Sequence, residues 1–191
     1  MAYHIQFSLF DAQGQRKYLN RDERSQFFAI ANDRKRPDIR LFCLLLYYTG
    51  ARISEIIQLT PISIDISNKA VTIRTLKRRR RNVFRQVPLP DSLLTDLNHY
   101  ISTIGDEPLL WRFAVRSASR YIKAVMYEAG ISGTKSSALG LRHGFAVHAI
   151  QIVPITQVQK WMGHASLQTT ALYLNISGDE EREMAKRLWE G

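Results

Sequence analysis

The sequence predicts a mixed α/β domain, mainly helical, with one small antiparallel sheet. Three observations predict it. Apolar residues recur at helical spacing through most of the chain and are bounded by helix-starting and helix-stopping residues. Three short runs that alternate or are rich in β-branched residues lie close together within 62–89. A chain of 191 residues, 45% hydrophobic, suffices for one sizeable core and falls short of a comfortable pair, so a single domain over 1–191 is expected.

Residues 3–18 read as an N-terminal hairpin extension, with Ile5, Phe7 and Leu9 alternating before Asp11-Ala12-Gln13-Gly14 supplies turn chemistry. Asn20 followed by Glu23 is a capping-box pattern, opening a helix through Phe27, Phe28 and Ile30 that Asn32-Asp33 ends. Pro37 suits the first turn of the next helix, and 39–48 is apolar on nearly every side, which marks it as the buried centre of the fold. Gly50 breaks that helix. Runs 62–66, 71–76 and 83–89 read as three strands, with 65–69 as the first turn. Asp91, after Pro90, begins an amphipathic helix through Leu93, Leu94, Leu97 and Ile101, which Gly105-Asp106-Glu107-Pro108 ends. Another helix at 117–129 has Arg116, Arg120 and Lys123 mostly on one side. A Gly, Ser and Thr-rich loop at 130–137 then leads into Leu141-Arg142-His143. Pro154 separates the helix after Arg142 from the one holding Val158 and Trp161. Beyond Ser177-Gly178, residues 179–191 form a final short helix with Met184, Leu188 and Trp189 apolar.

Lys and Arg number 27 against 17 Asp and Glu, a net charge of +10 that favours a polyanionic partner. The only cysteine, Cys43, lies inside an apolar run, so the chain has neither an internal disulfide framework nor a cysteine-based metal site. A reducing cytoplasm fits that usage. The N-terminus shows no basic segment followed by an apolar one, and no run approaches the roughly 18 apolar residues of a membrane span. A soluble protein without membrane partners is expected.

Three residues stand out chemically. Arg142 opens an apolar run, His164 follows the turn residue Gly163, and Tyr173 closes Thr169-Thr170-Ala171-Leu172-Tyr173. A guanidinium holds phosphate oxygens in a planar fork, an imidazole adds a donor, and a tyrosine hydroxyl can be a nucleophile forming a covalent intermediate. Singly, each is more often surface charge or packing. Upstream, Arg52 and Glu55 lie at helical spacing and could be a surface ion pair. The cluster Lys77-Arg78-Arg79-Arg80-Arg81 reads as a phosphate-tracking surface. The basic side of 117–129 could lie along DNA or be merely solvated.

Leu141-Arg142-His143-Gly144-Phe145-Ala146, Met162-Gly163-His164-Ala165-Ser166 and Thr169-Thr170-Ala171-Leu172-Tyr173 together resemble the catalytic core of the tyrosine recombinases, the phage integrase family. Thr49-Gly50-Ala51-Arg52-Ile53-Ser54-Glu55-Ile56 resembles the family's first arginine motif. The likeness spans 19–189, nearly the whole chain. It implies the tyrosine-recombinase catalytic-domain fold and site-specific strand exchange or integration on duplex DNA through a 3′-phosphotyrosyl intermediate, with no metal or nucleotide cofactor. In that scheme Tyr173 is the nucleophile, Arg52, Arg142 and His164 stabilise the charge developing on the phosphate, and Lys77 protonates the leaving 5′ oxygen. Glu55 orients its helix without doing chemistry, and His143 supports the site beside Arg142. Arg78, Arg79, Arg80, Arg81, Arg116, Arg120 and Lys123 would contact DNA, and the C-terminal helix would dock on a neighbouring subunit in a DNA-bound dimer or tetramer. A mobile element acting in the cytoplasm, at the nucleoid, is the setting it implies.

Two departures matter. The family pattern places a histidine three residues before the second arginine, and here that position is Leu139. A proton-handling group is missing, which leaves a cleavage-impaired DNA-binding regulator as the alternative reading and makes Leu139→His an expected gain in cleavage. The other departure is size. Most family members carry a separate N-terminal helical domain, whereas small members with the catalytic domain alone share this plan, as a truncated piece would.

Overall fold

The first helix starts at a capping box, as the sequence predicts. In the computed structural model, which describes residues 8–76, 83–175 and 179–190, Glu23 N–H donates to Asn20 Oδ1 at 2.9 Å, and Asn20 N–H donates to the Glu23 carboxylate at 2.9 Å. Helix α1 (Arg21–Asn32) follows, its first turn closed at both ends of the box. Ahead of it the chain makes a turn closed by one antiparallel bridge, Phe10 to Arg16. Residues 1–7, the rest of the expected hairpin, lie outside the described residues.

Helix α2 (Pro37–Thr49) is the centre of the fold. Its residues Leu41 to Leu46 are all buried, since the helix packs against α1, α4 (Asp91–Ile104), α5 (Val115–Glu128) and α6 (Ala138–Ala149) on different sides. A stretch surrounded on all sides, as 41–46 is, needs no polar stripe, which is why its sequence lacks one. The short α3 (Ile53–Ile56) leads to β1 (Ile64–Asp65), β2 (Ala70–Arg74) and β3 (Phe84–Pro88), paired antiparallel in that order. The first strand is shorter than predicted. Pro61 opens a 3-10 turn, Thr60 N–H donates to Ser63 Oγ at 3.1 Å, and Ile62 is left 93% exposed. Lys77 and Arg78 to Arg81 lie outside the described residues.

A second apolar cluster, formed by Tyr18, Phe145, Val158, Met162 and Tyr173 among others, joins α6 to α7 (Ile155–Met162) and to the segment beyond α8 (Leu167–Ala171). Helix α6 therefore belongs to both cores, with Leu141 in one and Phe145 in the other. The last helix, α9 (Asp179–Trp189), returns to its own chain: Met184 packs on the second cluster and Tyr18 Oη donates to Glu180 at 3.2 Å. Leu188 and Trp189 face outward, 85% and 68% exposed. Among the described residues, no helix is long and apolar enough to cross a membrane and no cluster of ligands could hold a metal ion.

Gly50 ends α2 in the left-handed region at φ 60°, and a Cβ there would lie 2.4 Å from the Phe145 ring. Both effects oppose a side chain. We expect Gly50→Ala to destabilise the fold by about 2 kcal/mol or more, the sum of left-handed strain and overpacking, lowering Tm by roughly 4 °C or more in a thermal melt. An unchanged Tm would contradict this.

Candidate active site

Arg142 sits on the second turn of α6, 4% exposed, and three elements converge on its guanidinium. Nη1 donates to the Gly50 carbonyl at 2.6 Å, where α2 ends; Nη2 donates to the Met162 carbonyl at 2.8 Å, where α7 ends. Both carbonyls belong to helix C-termini, where unpaired acceptors and partial negative charge favour a cation. Nη2 also lies 3.1 Å from His164 Nε2. Burial lowers the Arg142 pKa to about 10, helped by the nearby charge of Arg52, and the group still carries its charge at neutral pH.

Gly163 places His164. Its φ of 66° ends α7 and turns the chain back over Arg142. The imidazole tautomer follows from its partners: a guanidinium only donates, so Nε2 accepts from Arg142, and Nδ1, 2.9 Å from Thr170 Oγ1, carries the proton. Burial, with the charges of Arg142, Arg52 and Arg85, pushes the His164 pKa down to about 3.

Tyr173 lies in the 3-10 turn Leu172–Leu174 and is 2% exposed. Its ring runs parallel to that of His164, centroids 6.1 Å apart, and its hydroxyl is 2.9 Å from His143 Nδ1. Burial raises its pKa to about 12 against the opposing charges of Arg142 and Arg52, so the hydroxyl is protonated at neutral pH. His143 is itself buried, 3% exposed, and burial beside Arg142 and Lys17 lowers its pKa to about 3.

Arg52 precedes α3 with its side chain 26% exposed, and its Nη1 is 3.1 Å from Glu55 Oε1. This is no surface pair. Glu55 is buried, and its carboxylate also accepts from Arg52 N–H at 3.0 Å and from Arg85 Nη2 at 2.7 Å. Burial alone would raise the Glu55 pKa; the hydrogen bond and charge of Arg85, with those of Arg52, outweigh it and hold the carboxyl below its ordinary value. The result is a charged post that fixes where the Arg52 guanidinium sits.

Arg85 escaped the sequence reading. From β3 it donates Nε to the Trp161 carbonyl at 2.7 Å and Nη1 to Thr75 Oγ1 at 2.9 Å as well as pairing with Glu55, so it ties the sheet to α3 and α7. A signal was present: Val83, Arg85, Val87 and Leu89 share one strand face, and an arginine on an inward face requires buried partners. Arg85 and His164 line a cleft of about 250 Å³ together with Thr75, Gln159, Lys160 and Gly163. Leu139 is 59% exposed on the first turn of α6, and Arg116, Arg120 and Lys123 are exposed along α5. Those four stand outside the hydrogen-bonded cluster.

Arg52, Arg142, His164 and Tyr173 thus come together, as the spacing of their motifs suggests. The family model described as "Phage integrase family" matches residues 17–180. The tyrosine recombinase XerA of Pyrococcus furiosus is 31% identical over 159 residues, covering 78% of this chain and 54% of the relative. The crystal structure of a XerA recombinase superposes with a TM-score of 0.77 at 25% identity, over 89% of this chain and 64% of that one. The catalytic domain of bacteriophage HP1 integrase shares the fold with a TM-score of 0.63 at 21% identity, over 90% of this chain and 95% of that domain. The chain spans less than two thirds of the length of the recombinases it matches first. A match over most of the sequence and agreement in fold lead to one conclusion: the chain belongs to the phage integrase family.

Proposed function

We propose that the chain is a single catalytic domain of a tyrosine-type site-specific recombinase, cleaving and rejoining duplex DNA through a 3′-phosphotyrosyl intermediate. The observation that carries this reading is the convergence of a buried tyrosine hydroxyl, an anchored guanidinium and a second guanidinium held on Glu55. Tyr173 attacks the phosphate, and Arg52 and Arg142 offset the charge growing on its non-bridging oxygens. An anion beside His164 favours the imidazolium, which then donates to the phosphate in place of accepting from Arg142. Lys77 is the proposed acid for the leaving 5′ oxygen; Arg78 to Arg81, Arg116, Arg120 and Lys123 are proposed phosphate contacts, supported by the net charge of +10. No metal or nucleotide cofactor enters the scheme.

The test is a covalent adduct. Duplexes selected from a random library by binding are nicked, incubated with the protein and run on a denaturing gel; a retarded protein–DNA band is the expected result, and its absence on duplexes that bind tightly rejects the reading. Leu139 favours a second reading, a DNA-binding regulator that cleaves poorly, and the same gel separates the two.

Self-association on DNA is proposed from the outward-facing Leu188 and Trp189 on α9. Deleting 179–191 is expected to reduce multi-subunit complexes on a native gel while single-subunit DNA binding survives. Undiminished assembly would refute the role given to α9.

A further inference from the structure

The position that the family pattern gives to a proton-handling histidine is occupied by Leu139, yet the Tyr173 hydroxyl has an imidazole against it. His143 stands one helical turn beyond Leu139 on α6, about 6 Å along the axis at 1.5 Å per residue. Its Nδ1 is 2.9 Å from Tyr173 Oη, a hydrogen-bonding distance. Other groups nearby are committed elsewhere. His164 spends both ring nitrogens on Arg142 and Thr170, and Lys135 pairs with Glu23 at 2.6 Å.

We propose that His143 is the general base of this chain, taking the Tyr173 proton in place of the histidine absent at position 139. The proposal rests on the recombinase reading for its substrate. In the forward step the Tyr173 oxygen bonds to phosphorus, its proton passes to His143 Nδ1, and the bond to the 5′ oxygen breaks as that oxygen takes a proton from the acid proposed at Lys77. In the reverse step the 5′ hydroxyl gives its proton to the amine proposed at Lys77 as its oxygen bonds to phosphorus, the Tyr173 oxygen leaves, and the imidazolium at His143 returns the proton to it. Burial beside Arg142 and Lys17 keeps His143 neutral, and a neutral imidazole has one accepting ring nitrogen, here assigned to Nδ1. The negative phosphate raises its proton affinity when the proton must move. His143 is thereby a catalytic residue, and a large gain in cleavage from Leu139→His is no longer expected.

Two measurements test this. On the protein alone, nitrogen-15 NMR of the histidine rings should find His143 Nδ1 unprotonated, with a resonance that moves in Tyr173→Phe; a protonated Nδ1 donating to the tyrosine oxygen overturns the proposal. On a nicked duplex, His143→Asn, which retains hydrogen-bonding groups and takes no proton at neutral pH, should slow single-turnover attachment by about a hundredfold or more with DNA affinity unchanged. A loss within about threefold overturns it, that being far below the general-base range. Added imidazole should restore attachment in a folded His143→Ala at least about tenfold, and failure to do so counts against the assignment. Leu139→His, which requires no variant at 143 to fold, should gain less than about threefold; a gain of about tenfold or more would place the missing base at 139. A parent protein that forms no adduct rejects the recombinase reading, and the NMR measurement still decides the state of His143.

Discussion

Tyr173→Phe is expected to bind DNA as the parent does and to form no covalent protein–DNA adduct. The substitution removes one oxygen and leaves the ring, which packs in the second core and lies parallel to His164. Folding should survive, because the ring and its packing remain; losing the hydroxyl's hydrogen bond to His143 leaves that nitrogen without it at a net cost of about 1–3 kcal/mol. Denaturing gels read the adduct and mobility shifts read the binding. Adduct at the parental level would mean that another residue is the nucleophile.

Arg142→Ala should slow adduct formation by at least about a hundredfold, the scale for removing one preorganised donor at developing charge. It should also destabilise the protein. The guanidinium is the donor to the Gly50 and Met162 carbonyls and to His164 Nε2, and its removal strips three buried acceptors of that partner at about 1–3 kcal/mol for each one left unsatisfied. Arg142→Lys separates the effects: an ammonium keeps the charge and cannot span two carbonyls and a phosphate in one plane, so much of the rate loss should remain with part of the stability restored. Attachment within about threefold of the parent for Arg142→Ala, well outside that scale, would show the clamp to be wrongly placed. Arg52→Ala offers a contrast, since its side chain is 26% exposed and held by Glu55; its rate loss should come with a smaller change in Tm.

The local grammar of the chain already held most of the architecture. Asn20 with Glu23, Pro37, Gly50, Pro154 and Gly163 mark element ends through interactions that reach only a few residues along the chain, and each end falls at or beside its mark in the structure. The run 39–48, apolar on nearly every side, marked the buried centre of the fold, and Leu41 to Leu46 are indeed all buried there. Motif order likewise singled out Arg52, Arg142, His164 and Tyr173, because side-chain type and spacing are properties of the sequence. Partners that meet across the fold are not. Glu55 reads in the sequence as a helix-orienting residue beside Arg52, and nothing there shows that Arg85, thirty residues on, holds its other oxygen. His143 read as a support until Tyr173 arrived from the far side of the second core with its hydroxyl 2.9 Å away. Arg142 owes its rigidity to two carbonyls at the ends of α2 and α7, acceptors that every residue carries and that composition therefore cannot reveal. Burial set the remaining terms: a closed interior moves the pKa values of His143 and His164 well down and that of the Tyr173 hydroxyl up, since the cost of a buried charge depends on what surrounds it and not on its neighbours in the chain.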